Sequence, residues 1–356
     1  NNLILNHLLT LNMSAAITFK PKQVTKRILV VLPDRAREVV TNRYGLGKSP
    51  NKMTLEAIGN KYGITRERVR QIENAALASI RKSDIFSNEQ PTLNELSSAI
   101  DSLGGIVAED ELMELVSRDA SAQNHMLLLL DLGDEFNKEK EGDEFKSYWY
   151  TDNDLQNTVS KGLKNVYKSL SYEDLVSEQD LLSRFLGEVK DLNKKYRNDD
   201  NAKRWLMISK MLGKNPLGEW GVAESSNVKV KGMRDYAYLA IKKHGSPMHF
   251  TEVSKAIGDF FARKAHTATC HNELIKDPRF VLVGRGLYAL REWGYSSGVV
   301  KDVISEILKK NGPLTREDII SKVRKERYIK DNTIIVNLQN RNFFKVNKKG
   351  EYSLAK

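Results

Sequence analysis

Cysteine is almost absent: the 356 residues include one, Cys270. That excludes an intramolecular disulfide and any zinc finger built on cysteine ligands, and a single thiol suits a reducing cytoplasm. Long apolar runs are absent too. A membrane-spanning helix needs about 20 consecutive apolar residues, and the longest clusters, Ile28–Leu32 and Leu127–Leu130, stop far short. No nucleophile elbow, paired metal carboxylates or nuclease constellation is visible, so the expectation is a binding protein that is not an enzyme and uses no cofactor.

Charge, in contrast, is plentiful and unevenly placed. There are 57 Lys+Arg against 46 Asp+Glu, a net charge of +11, with 40% apolar residues. This composition folds. Residues 21–87 hold 14 basic and 6 acidic side chains, residues 91–150 only 4 basic against 14 acidic, and residues 151–225 balance at 12 each. Residues 226–295 return to 12 basic against 6 acidic, and 296–356 to 14 against 7. Two basic ends thus flank an acidic block. Basic surfaces attract phosphate backbones; the acidic block needs another task, such as contacting a protein or shielding a basic neighbour. Residues 1–20 form an N-terminal arm. Its first twelve residues lack the basic start and small-residue cleavage site of a signal peptide, and Met13 is the first methionine. A natural start after residue 12 is one reading of this arm, and no function is assigned to it.

The sharpest local pattern is TLEAIGNKYGITRERVRQIENAALASIRKS, residues 54–83. Thr54 is placed to cap one helix and Thr65 a second, with Gly63 at the tight turn between them. In the second helix Val69, Ile72, Ala76 and Ile80 recur at three and four residues and form an apolar face. Arg66, Glu67, Arg70 and Gln71 fall opposite. A helix-turn-helix that reads DNA presents the start of its second helix to base edges in the major groove. There arginine pairs with guanine, glutamine with adenine, and glutamate accepts from cytosine. The helix N-terminus, Lys52, Arg68 and Arg81 would hold phosphates. A merely solvated charged face is the competing account; the turn, the two caps and the basic surroundings favour the DNA reader.

Residues 30–82, from LPDRAREVVTNRYGLGKSPNKM through the TRERVRQIE core, closely resemble region 4 of primary bacterial sigma factors, the part that reads the −35 promoter element. The resemblance implies that Arg66, Glu67 and Gln71 face bases and that Arg68 and Arg70 mainly hold phosphates. It also implies that the helix from Pro33 to about Tyr44 docks on the flap-tip of the RNA polymerase β subunit. Ala36, Val39 and Val40 have the spacing of a buried face, for which packing within the domain is an equal account. Sigma factors carry a further region that melts the −10 element. Residues before 30 are too few to supply it, so a complete sigma factor is not expected.

Downstream, a spacing recurs three times: Gly105, Phe136, Gly142; then Gly245, Phe280, Gly286; then Gly312, Phe344, Gly350. Each set ends in an apolar strand, a glycine turn and an apolar strand, a β-hairpin pattern, and a repeat resets the domain count. Helices followed by such a hairpin suit a winged helix. MRDYAYLAIKKHGSPMHFTEVSKAI with HTATCHNELIKDPRFVLVGRGLYALREWGY, within 230–293, resembles the HARE-HTH family, which implies a winged helix linked to DNA or to polymerase. His266, Thr267, His271 and the wing-tip Arg285 are secondary DNA candidates there, as are Lys348 and Lys349 in the basic C-terminal segment. His266, Cys270 and His271 are a poor tetrahedral metal set, and helix packing accounts for them better. GLGK at 45–48 lacks the spacing of a phosphate-binding loop and reads as an inter-helix loop.

The expected fold is mainly α, with tandem helix-turn-helix and winged-helix modules carrying short β-hairpin wings. The sigma-like helix-turn-helix spans 21–90 and an acidic winged-helix-like module 91–150. A helical module with a linker, clearest at 213–232, fills 151–225, followed by a HARE-HTH-like module at 226–295 and a basic winged-helix-like module at 296–356. The expected function is sequence-specific double-stranded DNA binding in transcription initiation or its regulation with RNA polymerase, in the bacterial cytoplasm on the nucleoid. A recruitment subunit of a restriction or DNA-modification system, or a nucleoid-type protein without polymerase contact, are the alternatives. Removing residues 226–356 is expected to flatten the salt dependence of DNA binding, because fewer phosphates are neutralised. An unchanged log–log salt slope would show that those residues contact something else.

Overall fold

The structure is a computed structural model that describes residues 17–295 and 298–355. The first sixteen residues of the N-terminal arm lie outside the described residues. The chain is mainly α: the described residues form seventeen α-helices and four small antiparallel sheets, joined by loops. It divides into two units, one of residues 1–171 with 178–212, the other of residues 172–177 with 213–356.

The first unit begins with four helices, α1 (Pro21–Leu29), α2 (Asp34–Tyr44), α3 (Leu55–Tyr62) and α4 (Arg66–Arg81), followed by the short α5 (Asp84–Ser87). Pro21 opens α1, where its missing N–H costs nothing. Next come α6 (Gln90–Ser102), β1 (Ile106–Ala108), α7 (Glu109–Val116), α8 (Ala120–Leu132), β2 (Asn137–Glu139) and β3 (Tyr148–Tyr150). The three strands pair antiparallel with β3 in the centre, Val107 opposite Trp149 and Lys138 opposite Trp149 on the other side.

The helix α8 decides how these pieces fit. Its sequence, ASAQNHMLLLLDL, is apolar nearly all round, and such a helix has to be buried. Eight of its thirteen residues are. Met126, Leu128, Leu129 and Leu130 share one core with Val24 and Ile28 of α1, Val40 of α2, Ala76 and Ile80 of α4, and Leu96 and Ile100 of α6. Each leucine so enclosed contributes roughly 1.5–3 kcal/mol relative to exposure. The four-helix segment and the acidic segment, which read as separate modules, therefore have one core between them. Polar contacts fix the register. Asn124 donates to the carbonyls of Gly45 and Pro50 at 3.1 and 2.7 Å. Thr25 and His125 meet at 2.5 Å, and Arg27 pairs with Glu89 at 2.6 Å.

The remainder of this unit, α9 (Asn153–Ser169), α10 (Glu178–Glu188) and α11 (Asp199–Leu206), packs on the acidic segment. Phe185 meets Trp205 edge to face at 6.1 Å. The buried Arg204 side chain reaches Glu111 and the Leu103 carbonyl, each at 2.8 Å.

The second unit takes up the chain within the hairpin of β4 (Leu212–Lys214) and β5 (Trp220–Val222), to which residues 172–177 return through a bridge between Val176 and Trp220. The stretch 213–232, which reads as a linker, is thus a built element. Trp220 is buried, and the buried Asn215 accepts from the N–H groups of Leu217 and Glu219 while donating to the Asn227 carbonyl. Then follow α12 (Met233–His244), β6 (Met248–His249), α13 (Phe250–Phe261), α14 (Thr267–Lys276), β7 (Phe280–Gly284) and β8 (Leu287–Leu290). The last segment comprises α15 (Val300–Asn311), β9 (Leu314–Thr315), α16 (Arg316–Glu326), α17 (Asp331–Leu338), β10 (Phe344–Val346) and β11 (Glu351–Leu354).

One plan, helix–strand–helix–helix–hairpin, therefore occurs three times, each with the last strand in the middle of its sheet. The repeated residues hold its corners. Gly105, Gly245 and Gly312 all have positive φ after the first helix, and Phe136, Phe280 and Phe344 are all buried at the start of the hairpin. Gly286 and Gly350 make its turn with positive φ. Gly142 lies instead in the longer connection from β2 to β3, where Phe145 bridges Ser209.

Because α4 and α8 share a core, Leu128→Ala should cost about 2–5 kcal/mol and lower the hydrogen-exchange protection of both helices together. Unchanged protection in α4 would show that the two segments fold independently.

Candidate nucleic-acid interface

Helices α3 and α4 meet across a three-residue turn. Thr54 accepts the Ala57 N–H at 3.1 Å and Thr65 accepts the Arg68 N–H at 3.1 Å, so both helix starts are capped by their side chains. Gly63 ends α3 in the left-handed region, at φ +66. Gly59 has a different task. A Cβ there would stand 2.6 Å from the Ile64 carbonyl oxygen, so only glycine lets the turn fold back onto α3. Val39, Ile58 and Val69 fill the space between α2, α3 and α4, with Leu55, Tyr62, Ile64 and Ile72 around them.

This packing divides α4 lengthwise. Val69, Ala76 and Ile80 are buried, while Arg66, Glu67, Arg68, Arg70, Gln71, Asn74 and Ala78 are exposed. The cap residue Thr65 is exposed beside them. Its first two turns therefore present a strip of charged and amide groups, joined among themselves. Arg70 forks onto Glu67 through two bonds of 2.9 and 2.6 Å, and Arg68 donates to the Gln71 side-chain oxygen at 3.1 Å. The Arg70 hydrogen bonds hold the Glu67 carboxyl below its ordinary range. Such exposed pairs are screened by solvent and exchange readily for another partner. Asn74 extends the strip one turn further, three residues beyond Gln71. The sequence pattern from Arg66 to Gln71 ends a turn short of it, although the same helical spacing points there.

Two expected phosphate holders, both exposed, sit beside the acidic segment. Arg81 donates to the carbonyls of Asp131 and Leu132 at the end of α8 and stands 3.9 Å from Asp134. Its cation satisfies carbonyls that the helix terminus leaves without partners. Lys52 lines a cleft of about 160 Å³ with Arg43, Tyr44, Glu73, Glu109, Leu127, Asp131 and Lys138. Burial lowers its ammonium pKa, opposed chiefly by Glu109. Both residues thus serve the seam between α4 and the acidic segment.

The cleft is a network of ions at that seam. Tyr44 donates to Asp131 at 2.8 Å, Arg43 stands 3.4 Å from Glu73, and Glu109 takes Lys138 and the Trp149 indole N–H. Burial raises the carboxyl pKa of Asp131 and of Glu73 above the ordinary range.

The secondary candidates fall on two segments of the second unit. His266 and Thr267 are exposed at the start of α14, whereas His271 stacks on Phe250 with ring centres 4.2 Å apart. Cys270 is buried in the apolar core and its thiol is pushed up to about 11 by burial. Arg285 is exposed at the β7–β8 turn, and Lys348 and Lys349 at the β10–β11 turn.

The capped, glycine-turned helix pair with an exposed second helix is a helix-turn-helix. Residues 28–82 match the family described as Sigma-70, region 4. Over 56 residues the chain is 52% identical to the RNA polymerase sigma factor RpoS of Coxiella burnetii (strain RSA 493 / Nine Mile phase I), covering 16% of this chain and 16% of that protein. Over 67 residues it is 40% identical to the RNA polymerase sigma factor RpoD of Neisseria gonorrhoeae, covering 19% of this chain and 10% of that protein. The chain therefore spans about a sixth and a tenth of the lengths of these two curated relatives.

The seam carries a pH signature. Because the folded state raises the pKa of Asp131, this carboxyl's contribution is fully present below the ordinary aspartate range and is lost as pH rises through the raised value. Asp131→Asn removes that loss. Its stability relative to wild type, read by urea unfolding, is expected to increase as pH rises above the ordinary aspartate range, about 4. A difference that does not change with pH would contradict the assignment.

Proposed function

We propose that the chain binds double-stranded DNA in a sequence-specific way, with the first two turns of α4 in the major groove, and acts with RNA polymerase in transcription initiation or its regulation. The carrying observation is the exposed strip Arg66, Glu67, Gln71 and Asn74 on a helix whose other side is locked into two cores. Its groups are those that read base edges, and a rigid carrier holds them at a fixed depth. The match of residues 28–82 to Sigma-70, region 4 supports the same reading and brings polymerase in as a partner. Arg68 and Arg70 lie beside the strip, where they would take phosphates.

The polymerase contact is not assigned to Val39 and Val40, which are buried within the first unit. A flap contact on α2 would use its exposed Asp34, Arg35 and Glu38. We read the three repeated segments as winged helices, the second of them HARE-HTH-like, and the chain as a binding protein that is not an enzyme. The two segments of the second unit supply phosphate contacts that raise affinity through effective concentration. No helix among the described residues is long and apolar enough to cross a membrane, and we place the protein in the cytoplasm on the nucleoid.

Arg66→Ala and Gln71→Ala should each lose base preference worth roughly 1–3 kcal/mol, measured by competition footprinting against single-base variants of the selected site. Wild-type selectivity in both would show that α4 does not read bases.

A further inference from the structure

The third helix of the repeated segment meets solvent differently in each copy. In the first copy it is α8, buried along most of its length. In the second it is α14, where His271 is taken up by stacking on Phe250. In the third, α17 buries Ile334 and Leu338 and turns Asn332, Thr333 and Val336 to solvent, with Gln339 and Asn340 exposed just past its end. This face carries no charge. Its centre is an apolar residue, Val336, 56% exposed and flanked by amides. A helix face that simply meets water is usually charged. Cations are exposed in the same segment: Lys330 at the helix start, Arg341 beyond its end, and Lys345, Lys348 and Lys349 on the hairpin. The nearest acid on the helix, Asp331, is held by Arg324 at 2.7 Å.

We propose that α17 is a second base-reading helix, which takes A·T pairs of duplex DNA in the major groove while the exposed lysines of the same segment and Arg341 hold the phosphates. The chemistry is specific. Asparagine and glutamine amides match the adenine N6 and N7 edge, and the methyls of Thr333 and Val336 match the thymine methyl group. The exposed face has no arginine or lysine with which to take guanine. These cations are complementary to a polyanion and not to a neutral or basic protein surface. This inference rests on the reading that the chain binds duplex DNA, and it adds a second, A·T-preferring half to the site.

Selection of bound duplexes from a random library by the full chain tests it. Two preferred blocks are expected, one of them A·T-rich. The double substitution Asn332→Ala with Val336→Ala, on an exposed face, should leave the thermal midpoint unchanged. It should lower preference for the A·T-rich block about tenfold and leave the other block intact; Arg66→Ala with Gln71→Ala should do the reverse. A single block that survives the α17 substitutions overturns this inference and leaves the α4 reading standing. The inference is likewise overturned if Lys348→Ala with Lys349→Ala flattens the salt slope while the α17 substitutions change nothing, since the segment would then clamp phosphates only. No preferred block with any variant overturns the duplex-reading proposal itself.

Discussion

The burial of α8 is the constraint on which the first unit depends. A helix with so many leucines must be largely enclosed, and the enclosing surfaces come from α1, α2, α4 and α6. Its polar residues are spent on the same task, Asn124 on the loop before α3 and Asp131 on Tyr44. The acidic segment is therefore the floor on which the helix-turn-helix stands. This buries most of α8, although it occupies the position in its segment that α14 and α17 occupy in theirs.

The consequence for α4 is a division of labour along its sixteen residues. Its C-terminal half is anchored by Ala76, Ile80 and the Arg81 clamp on α8, and its N-terminal half projects with only Val69 and Ile72 holding it from below. A reading helix needs both properties. Anchoring would fix the angle of entry, and under the proposal the free half carries the groups that meet base edges. The Glu67–Arg70 and Arg68–Gln71 pairs keep those side chains extended over the surface before any partner arrives, and their exposure lets them exchange for DNA contacts.

Much of this was legible in the sequence, because the relevant signals are local. The caps Thr54 and Thr65, the turn at Gly63 and the apolar spacing of Val69, Ala76 and Ile80 depend on neighbours within a few residues. The three glycine–phenylalanine spacings likewise report one repeated fold. What the sequence concealed depends on contacts far apart in the chain. Arg81 looks like a phosphate ligand until Asp131 and Leu132, about fifty residues on, present their carbonyls. Lys52 looks like a free surface cation, yet it lines a cleft with Glu109 and Asp131. The run Leu127–Leu130 signalled burial, yet nothing local named α4 as its partner. In 213–232 the glycines, serines and Pro216 suggested a linker; the buried Asn215 and Trp220 make the turn and the packing that a linker lacks.

The central claim is that the outward strip of α4 lies against base edges in a duplex. Photo-crosslinking from single positions of the full chain tests it directly, with a reactive group placed in turn at 67, 74 and 81 and duplex of the selected sequence added. The account predicts crosslinks to bases from 67 and 74, and from 81 crosslinks confined to the end of α8. Base crosslinks from 81 with none from 67 or 74 would contradict it.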